Sequence, residues 1–292
     1  MYLSDVQLYH LLKPDYIDAN SNVTLLHIFN APVSRLSSIC VKPNESIIQH
    51  DKTISDLIDV SWENRANKAE YNGKLVKLKS ITLADNLPLL EICHTDYKTF
   101  KVTADLKFKN YIDKANYAPF PLTVNVMIET VDNKIVLAKR TTNGKYWECP
   151  GGFVNTDDND CNGDLDVLKS AQREVLEEIH HDIFLDEIQL LGFGASRFNL
   201  FIFLAIHAKS PLTYAQILNL RENETIQCYD EMKILDYLEI NPDSFINAIK
   251  TSKLQRAALG SILIFGHLKF GQEWFKRALH VSKVTYTEVT DL

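Results

Sequence analysis

The stretch Ser170-Ala171-Gln172-Arg173-Glu174-Val175-Leu176-Glu177-Glu178-Ile179 carries two patterns at once. With Leu165 and Leu168, its residues Ala171, Val175 and Ile179 recur every three or four positions, the stripe of a helix with one buried face. The spacing predicts a helix over 166–179. Glu174, Glu177 and Glu178 stand at i, i+3 and i+4 and share another face, where like charges repel. A hard divalent cation such as Mg2+ or Mn2+ relieves that repulsion through carboxylate oxygens. A cation held there acidifies a water, polarises a phosphoryl oxygen and neutralises a leaving diphosphate. Arg173 suits a different task, since its planar fork pairs with a carboxylate and fixes orientation. A solvated acidic helix also carries E-x-x-E-E, so upstream context must separate the readings.

Upstream, LTVNVMIETV and NKIVLAKR flank Asp132 as two apolar runs joined by a polar turn, the pattern of a hairpin. Trp147, Cys149, Pro150, Gly151 and Gly152 follow in a loop. Glycine lets backbone approach closely, so the Gly152 carbonyl is a candidate fourth metal ligand beside the three glutamates. Downstream, EIQLLGFG and RFNLFIFLAIHA read as strands, and Asp243 to His280 reads as helical with a break near Gly271.

Before this region, VTLLHIFN (Val23–Asn30) and SSICVK read as strands and Lys52–Glu70 as a helix. LVKLKSITL and PLLEICHT are two further strands. Ala118-Pro119-Phe120-Pro121 punctuates the chain. Two regions are therefore expected: an N-terminal α/β region over 1–115, and residues 116–292 with a C-terminal helical segment. Strands, one central helix and more strands imply an α+β or α/β layered fold around a mixed sheet.

Taken together, Gly152, Arg173, Glu174, Glu177 and Glu178 resemble the Nudix box, with Val175 in an apolar slot and the Pro150-Gly151-Gly152 turn typical of that family. The resemblance implies an α/β/α sandwich and Mg2+- or Mn2+-dependent cleavage of a nucleoside diphosphate linked to another group. Glu174, Glu177 and Glu178 would be its catalytic and metal-holding residues. An interrupted box, a large N-terminal region and the segments SWENRANKAEYNGKLVKL, CHTDYKTF and SKLQRAALGSI are similar to the UDP-glucose-hydrolysing branch. That narrower likeness implies a UDP-sugar cleaved to UMP and a sugar 1-phosphate. Its N-terminal region would help form the nucleotide pocket, and Tyr97 and Lys98 are candidates to touch base or phosphate, against an ordinary strand end. The alternatives are an ADP-ribose or dinucleotide pyrophosphatase and a nucleotide-binding module with a decayed box.

The chain departs from the box in three places. Arg173 stands 21 positions after Gly152, about seven more than usual. The early glutamate has no clean match: counting forward from Gly152 gives Asp158, and counting back from Arg173 gives Leu165, flanked by Asp164 and Asp166. His180 replaces the closing glycine, and histidine is among the non-glycine residues that tolerate a left-handed backbone. The neighbouring His181 fits the last apolar slot poorly, and the His180-His181 pair reads as a fraying surface cap. In the inserted loop, Asp158, Asp160, Asn162, Asp164 and Asp166 resemble the start of a calcium loop, but position twelve is Lys169 instead of glutamate. A turn-rich acidic loop explains the same residues.

Bulk properties limit the rest. The 292-residue chain carries a net charge of -7 and no long basic stripe, which disfavours nucleic acid as a partner and leaves a small nucleotide as the expected one. Its five cysteines form no C-x-x-C pair, against a disulfide framework or zinc knuckle. With no signal peptide and no long apolar run, a cytoplasmic location away from the membrane is expected. Glu222, Glu224, Asp230 and Glu231 are further candidates for a general base, and oligomeric state is not legible in this sequence.

Overall fold

The computed structural model describes residues 2–4, 7, 23–33, 40–44, 52–65, 71–84, 87–104, 120–140, 146–158, 165–182, 188–196, 200–223, 232–251 and 253–286. In chain order these hold β1 (Tyr2–Ser4), β2 (Val23–Val33), β3 (Cys40–Asn44), helix α1 (Lys52–Glu63), β4 (Lys74–Ala84), β5 (Leu87–Asp96) and α2 (Tyr97–Thr103). Next come β6 (Leu122–Glu129), β7 (Lys134–Arg140), β8 (Trp147–Glu148), α3 (Val167–Ile179), β9 (Ile188–Ser196) and β10 (Phe201–Lys209). The last are α4 (Tyr214–Asn223), β11 (Met232–Glu239), α5 (Pro242–Thr251), α6 (Arg256–Ser282) and β12 (Thr285–Tyr286).

An eight-stranded mixed sheet runs β11-β7-β6-β10-β9-β2-β12, with β8 paired to β7. Its faces follow from the two-residue period of a strand. On β6, Val124, Val126 and Ile128 enter one core with Leu168, Ala171, Val175 and Ile179 of α3. Met127 enters the other core, with Ile262, Phe265 and Phe275 of α6. Strand β10 divides likewise, Ile202, Leu204 and Ile206 to one side and Phe201, Phe203 and Ala205 to the other. Helices on both faces of a mixed sheet make the expected α/β/α arrangement. Each large apolar side chain so buried contributes about 1.5–3 kcal/mol.

A second sheet, β1-β4-β5-β3, comes from the N-terminal region. Residues 150–155 join it to β6. Val124 N donates to Gly152 O (2.9 Å) and Val154 N to Leu122 O (3.0 Å), while Val76 N of β4 donates to Val154 O (3.2 Å). The glycine turn therefore lies between the two sheets. The boundary expected near residue 115 separates stretches that share a sheet, because β2 pairs β9 inside the large one.

Several sequence-based element limits shift. Helix α1 stops at Glu63, and the rest of the expected Lys52–Glu70 helix lies outside the described residues apart from Asn64 and Arg65. Tyr97 and Lys98 are no strand end: they open α2, where the Asp96 carboxylate accepts from Thr99 N at 2.7 Å. The break near Gly271 is present, with φ 82° and ψ -179° inside α6.

At the far end of β6 the Glu129 carboxylate meets His207 Nε2 at 2.8 Å and Lys269 Nζ at 3.2 Å. The His207 hydrogen bond leads the causes that pull the Glu129 carboxyl down to about 2, against the opposing effect of burial. A carboxyl lowered on folding contributes stability above its unfolded value near 4.5, and loses it as pH falls towards 2. Wild type should therefore exceed Glu129→Gln by about 2 kcal/mol at pH 6. Urea unfolding at a series of pH values should show that gap closing below about pH 4; a constant gap would contradict the account.

Candidate active site

The glutamate helix α3 starts and stops on local chemistry. Asp166 Oδ1 accepts from Leu168 N at 2.9 Å and Lys169 N at 3.3 Å, an N-cap that takes two otherwise unmatched amides. His180 closes the helix at φ 55° and ψ 32°, its N–H bonded to Leu176 O at 3.1 Å. Histidine thus holds the left-handed position that glycine fills in the family box. His180→Gly should raise stability by about 0.5–1 kcal/mol by removing a Cβ from that conformation. A thermal midpoint at or below that of wild type would contradict this. His181 is no fraying surface cap. It is buried, its Nε2 lies 2.8 Å from Ser210 Oγ, and burial lowers its pKa, favouring the neutral ring.

Arg173 organises the carboxylates. Its Nε and Nη2 grip Asp158 at 2.9 and 3.0 Å, Nη1 donates to Glu174 at 2.7 Å and Glu177 at 3.1 Å, and Nη2 also donates to Phe153 O at 3.1 Å. Asp158 also accepts Ser170 Oγ at 2.7 Å and Asn155 N at 3.2 Å. Counting forward from Gly152 therefore finds the partner of Arg173, and the extra residues come after it. Asp166 N donates to Asp158 O at 2.7 Å, closing the base of that insertion. Two carboxylates of the calcium-loop pattern, Asp158 and Asp166, are thus committed to the clamp and the helix cap. Asp160, Asn162 and Asp164 lie outside the described residues.

The three glutamates have distinct surroundings. Glu178 is buried, and its Oε2 accepts Gly151 N at 2.8 Å. The Glu174 carboxylate lies against Gly152, where a Cβ would stand 2.5 Å from Cδ and 2.6 Å from Oε1. Burial pushes the Glu174 carboxyl up to about 7, outweighing its ion pair with Arg173. Glu177 keeps more than half of its side chain exposed. Among the described residues, no three His, Cys, Asp or Glu side chains already form an ion cage. The donor set still fits a hard divalent ion: carboxylate oxygens, one of them desolvated and in need of positive charge, sit in space that Gly152 leaves open. The Gly152 carbonyl, expected as a ligand, already accepts Val124 N and retains a second lone pair.

Sequence reasoning missed Asn125 at the turn and gave the loop residue Cys149 no role; both are buried. Asn125 interrupts the apolar run of β6, and its Nδ2 donates to Cys149 O at 3.4 Å. The buried Cys149 thiol is pushed up to about 12, chiefly by desolvation, which makes it a poor nucleophile. The lone amide in LTVNVMIE was the available signal for Asn125. Glu224, Asp230 and Glu231 lie outside the described residues, while Glu222 falls in the last turn of α4.

A cavity of about 560 Å3 is lined by Asp59, Lys74, His94, Lys98, Thr156 and Asp157, among others, and its described lining includes neither the glycine turn nor the three glutamates. Lys98 Nζ is held by Asp59 at 2.6 Å. Tyr97 lies among the rings of Trp62, Phe100 and Phe153, the last 6.1 Å away.

Residues 119–245 match the family model described as the NUDIX domain. Nudix hydrolase 9 of Arabidopsis thaliana is 24% identical over 200 residues, covering 59% of this chain and 64% of that protein. The chain thus spans under two thirds of the length of that relative. Among solved structures, the NUDIX domain of Shewanella oneidensis NrtR complexed with ADP ribose has a TM-score of 0.35 and 16% identity, over 49% of this chain and 84% of that one. A NUDIX hydrolase from Nitrosomonas europaea has a TM-score of 0.34 and 18% identity, over 49% and 86%. No helix among the described residues is long and apolar enough to cross a membrane.

Proposed function

We propose that this chain, with a NUDIX domain over residues 119–245, is a pyrophosphohydrolase that cleaves a nucleoside diphosphate linked to a second group. A UDP-sugar is the substrate class that the sequence resemblance favours. The observation that carries the reading is the desolvated Glu174 carboxylate, seated against Gly152 and clamped by Arg173 beside Glu177.

Glu174, Glu177 and Glu178 are the residues that would hold Mg2+ or Mn2+, with the Gly152 carbonyl as a further oxygen. When bound, such an ion neutralises pyrophosphate charge and acidifies a water. Arg173, anchored by Asp158, fixes the Glu174 and Glu177 carboxylates directly through Nη1. As an alternative to holding the ion, Glu174 would serve mainly as the base for an attacking water. Glu178 holds the glycine turn through the Gly151 N–H. The N-terminal region supplies most of the cavity that Thr156 and Asp157 also line, and Lys74 there offers a cation to diphosphate oxygens, whereas Lys98 is paired with Asp59.

The test is product release from UDP-glucose, ADP-ribose, a dinucleoside polyphosphate and nucleoside triphosphates, each with Mg2+ and with chelator. The expected result is Mg2+-dependent conversion of UDP-glucose to UMP and glucose 1-phosphate. Preference for ADP-ribose would overturn the substrate class, and no turnover of any compound would overturn the enzyme reading.

A further inference from the structure

Helix α1 docks through a small apolar cluster of its own. Ile58 packs with Val102 of α2, and Ile54, Leu57 and Trp62 pack on that pair, apart from the two main cores. Beside α1 lies the cavity of about 560 Å3, with Ser55, Ile58 and Asp59 of the helix in its wall. The wall opposite in sequence is fixed by backbone. Lys74 and Asp96 are partners across β4 and β5, Tyr97 N donates to Gly73 O at 2.9 Å, and Lys98 N donates to Asn72 Oδ1 at 2.7 Å. Thr156 and Asp157 complete the lining and lead directly into Asp158, the anchor of Arg173. The cavity thus borders the carboxylate clamp without containing it.

The chemistry of the lining selects the occupant. Its described residues include three carboxylates, Asp59, Asp96 and Asp157, and two ammonium groups, Lys74 and Lys98. Lys98 is held by Asp59 at 2.6 Å and Lys74 is exposed, so the wall calls for no anion inside. No Phe, Tyr or Trp belongs to the described lining, so a base finds no such ring to stack on. A neutral polyol suits it. A hydroxyl donates to a carboxylate and accepts from an ammonium group, so neighbouring hydroxyls join the Asp59–Lys98 pair without adding charge. Ser55, Thr99 and Thr156 offer further hydroxyls, and Ile58 offers apolar surface to the C–H face of a ring. Thr95 is in the same lining, and its Oγ1 is buried with no hydrogen-bond partner among the described residues. A ligand that draws that hydroxyl out by one staggered step of χ1 removes the cost of leaving it unmet. The volume falls within the range of ligand pockets, about 300–1,000 Å3.

We propose that the cavity beside α1 binds the sugar half of the substrate through its hydroxyls, with the Asp59–Lys98 pair as the element that distinguishes sugars. The assignment rests on the UDP-sugar reading of the glutamate site. The sugar would lie on the Asp157 side of the clamp, and the diphosphate would pass between the exposed Lys74 and the glutamates.

The test is saturation-transfer NMR on the full chain with EDTA present, so that neither metal nor turnover enters it. Methyl α-D-glucopyranoside and glucose 1-phosphate are the probes, with inorganic phosphate and UMP as competitors. The expected result is transfer to the sugar ring protons of both probes, undiminished by either competitor. Affinity should fall about tenfold in Asp59→Asn and in Lys98→Met, the loss of one charge-assisted hydrogen bond. Ser55→Tyr, which fills the space, should abolish binding. Asp59 is 52% exposed, so Asp59→Asn keeps the test open if Ser55→Tyr does not fold. Displacement of the glucoside by phosphate or by UMP would make the cavity a phosphate or nucleoside site and overturn the proposal. So would an absence of transfer, or affinity retained in every variant. Sugar binding without UDP-glucose turnover would fault the enzyme reading alone, and turnover without sugar binding here would fault this proposal alone.

Discussion

Glu177→Gln is expected to cut Mg2+-dependent turnover by about 100- to 1000-fold while leaving the fold intact. The side chain is 56% exposed and touches Arg173 through one oxygen at 3.1 Å. Loss of an ion pair that exposed costs under about 1 kcal/mol, so the thermal midpoint should move little. Arg173 retains Asp158, Glu174 and Phe153 O, and the helix remains in register. Glutamine preserves the shape and removes the negative charge that a divalent ion requires. Steady-state rates across a Mg2+ titration, with circular dichroism as the control for folding, measure both halves. Turnover within threefold of wild type would remove Glu177 from the machinery and defeat the proposed chemistry.

The second large effect concerns the backbone. Gly151→Ala is expected to cost about 3 kcal/mol or more, enough to unfold a substantial fraction of molecules at 37 °C. At φ 155°, a Cβ on residue 151 would run into the Val124 carbonyl oxygen and stand 3.0 Å from Asn125 Cα. Both are strand backbone, which cannot rotate aside as a side chain does. Gly152→Ala offers a contrast, since its new methyl meets the Glu174 carboxylate, a side-chain end that can turn away. That variant should stay folded and lose turnover, while Gly151→Ala should lose stability first. Chemical unfolding of both proteins checks the order, and equal stabilities would contradict it.

The parts legible in the sequence were those with a period or a fixed chemistry. The stripe through Leu168, Ala171, Val175 and Ile179 marked α3 because burial repeats with the helical turn. Strands β6, β7, β9 and β10 showed as apolar runs because both sheet faces are covered. Asp158 remained one of several choices, because spacing alone does not tell on which side of an acid an insertion falls. Only the bidentate contact with Arg173 separates it from Asp166, which caps the helix. His181 misled because a polar residue usually marks surface, whereas here a single hydroxyl, Ser210, satisfies a buried ring nitrogen. Tyr97 and Lys98 misled because CHTDYKTF has no break between strand and helix apart from Asp96, whose carboxylate serves as the cap.

Strand β2 has a consequence for how the molecule is made. It completes the large sheet by pairing with β9, whose first residue follows Val33 by 155 positions, and with β12 farther still. On a ribosome adding roughly 5–20 residues per second, an early apolar segment waits on the order of ten seconds for its partner. During that interval Val23, Leu25, Leu26 and Ile28 have no native neighbour from β9. A shortened chain starting near residue 116 would create the converse hazard, leaving β9 with an open, apolar rim ready to recruit another molecule.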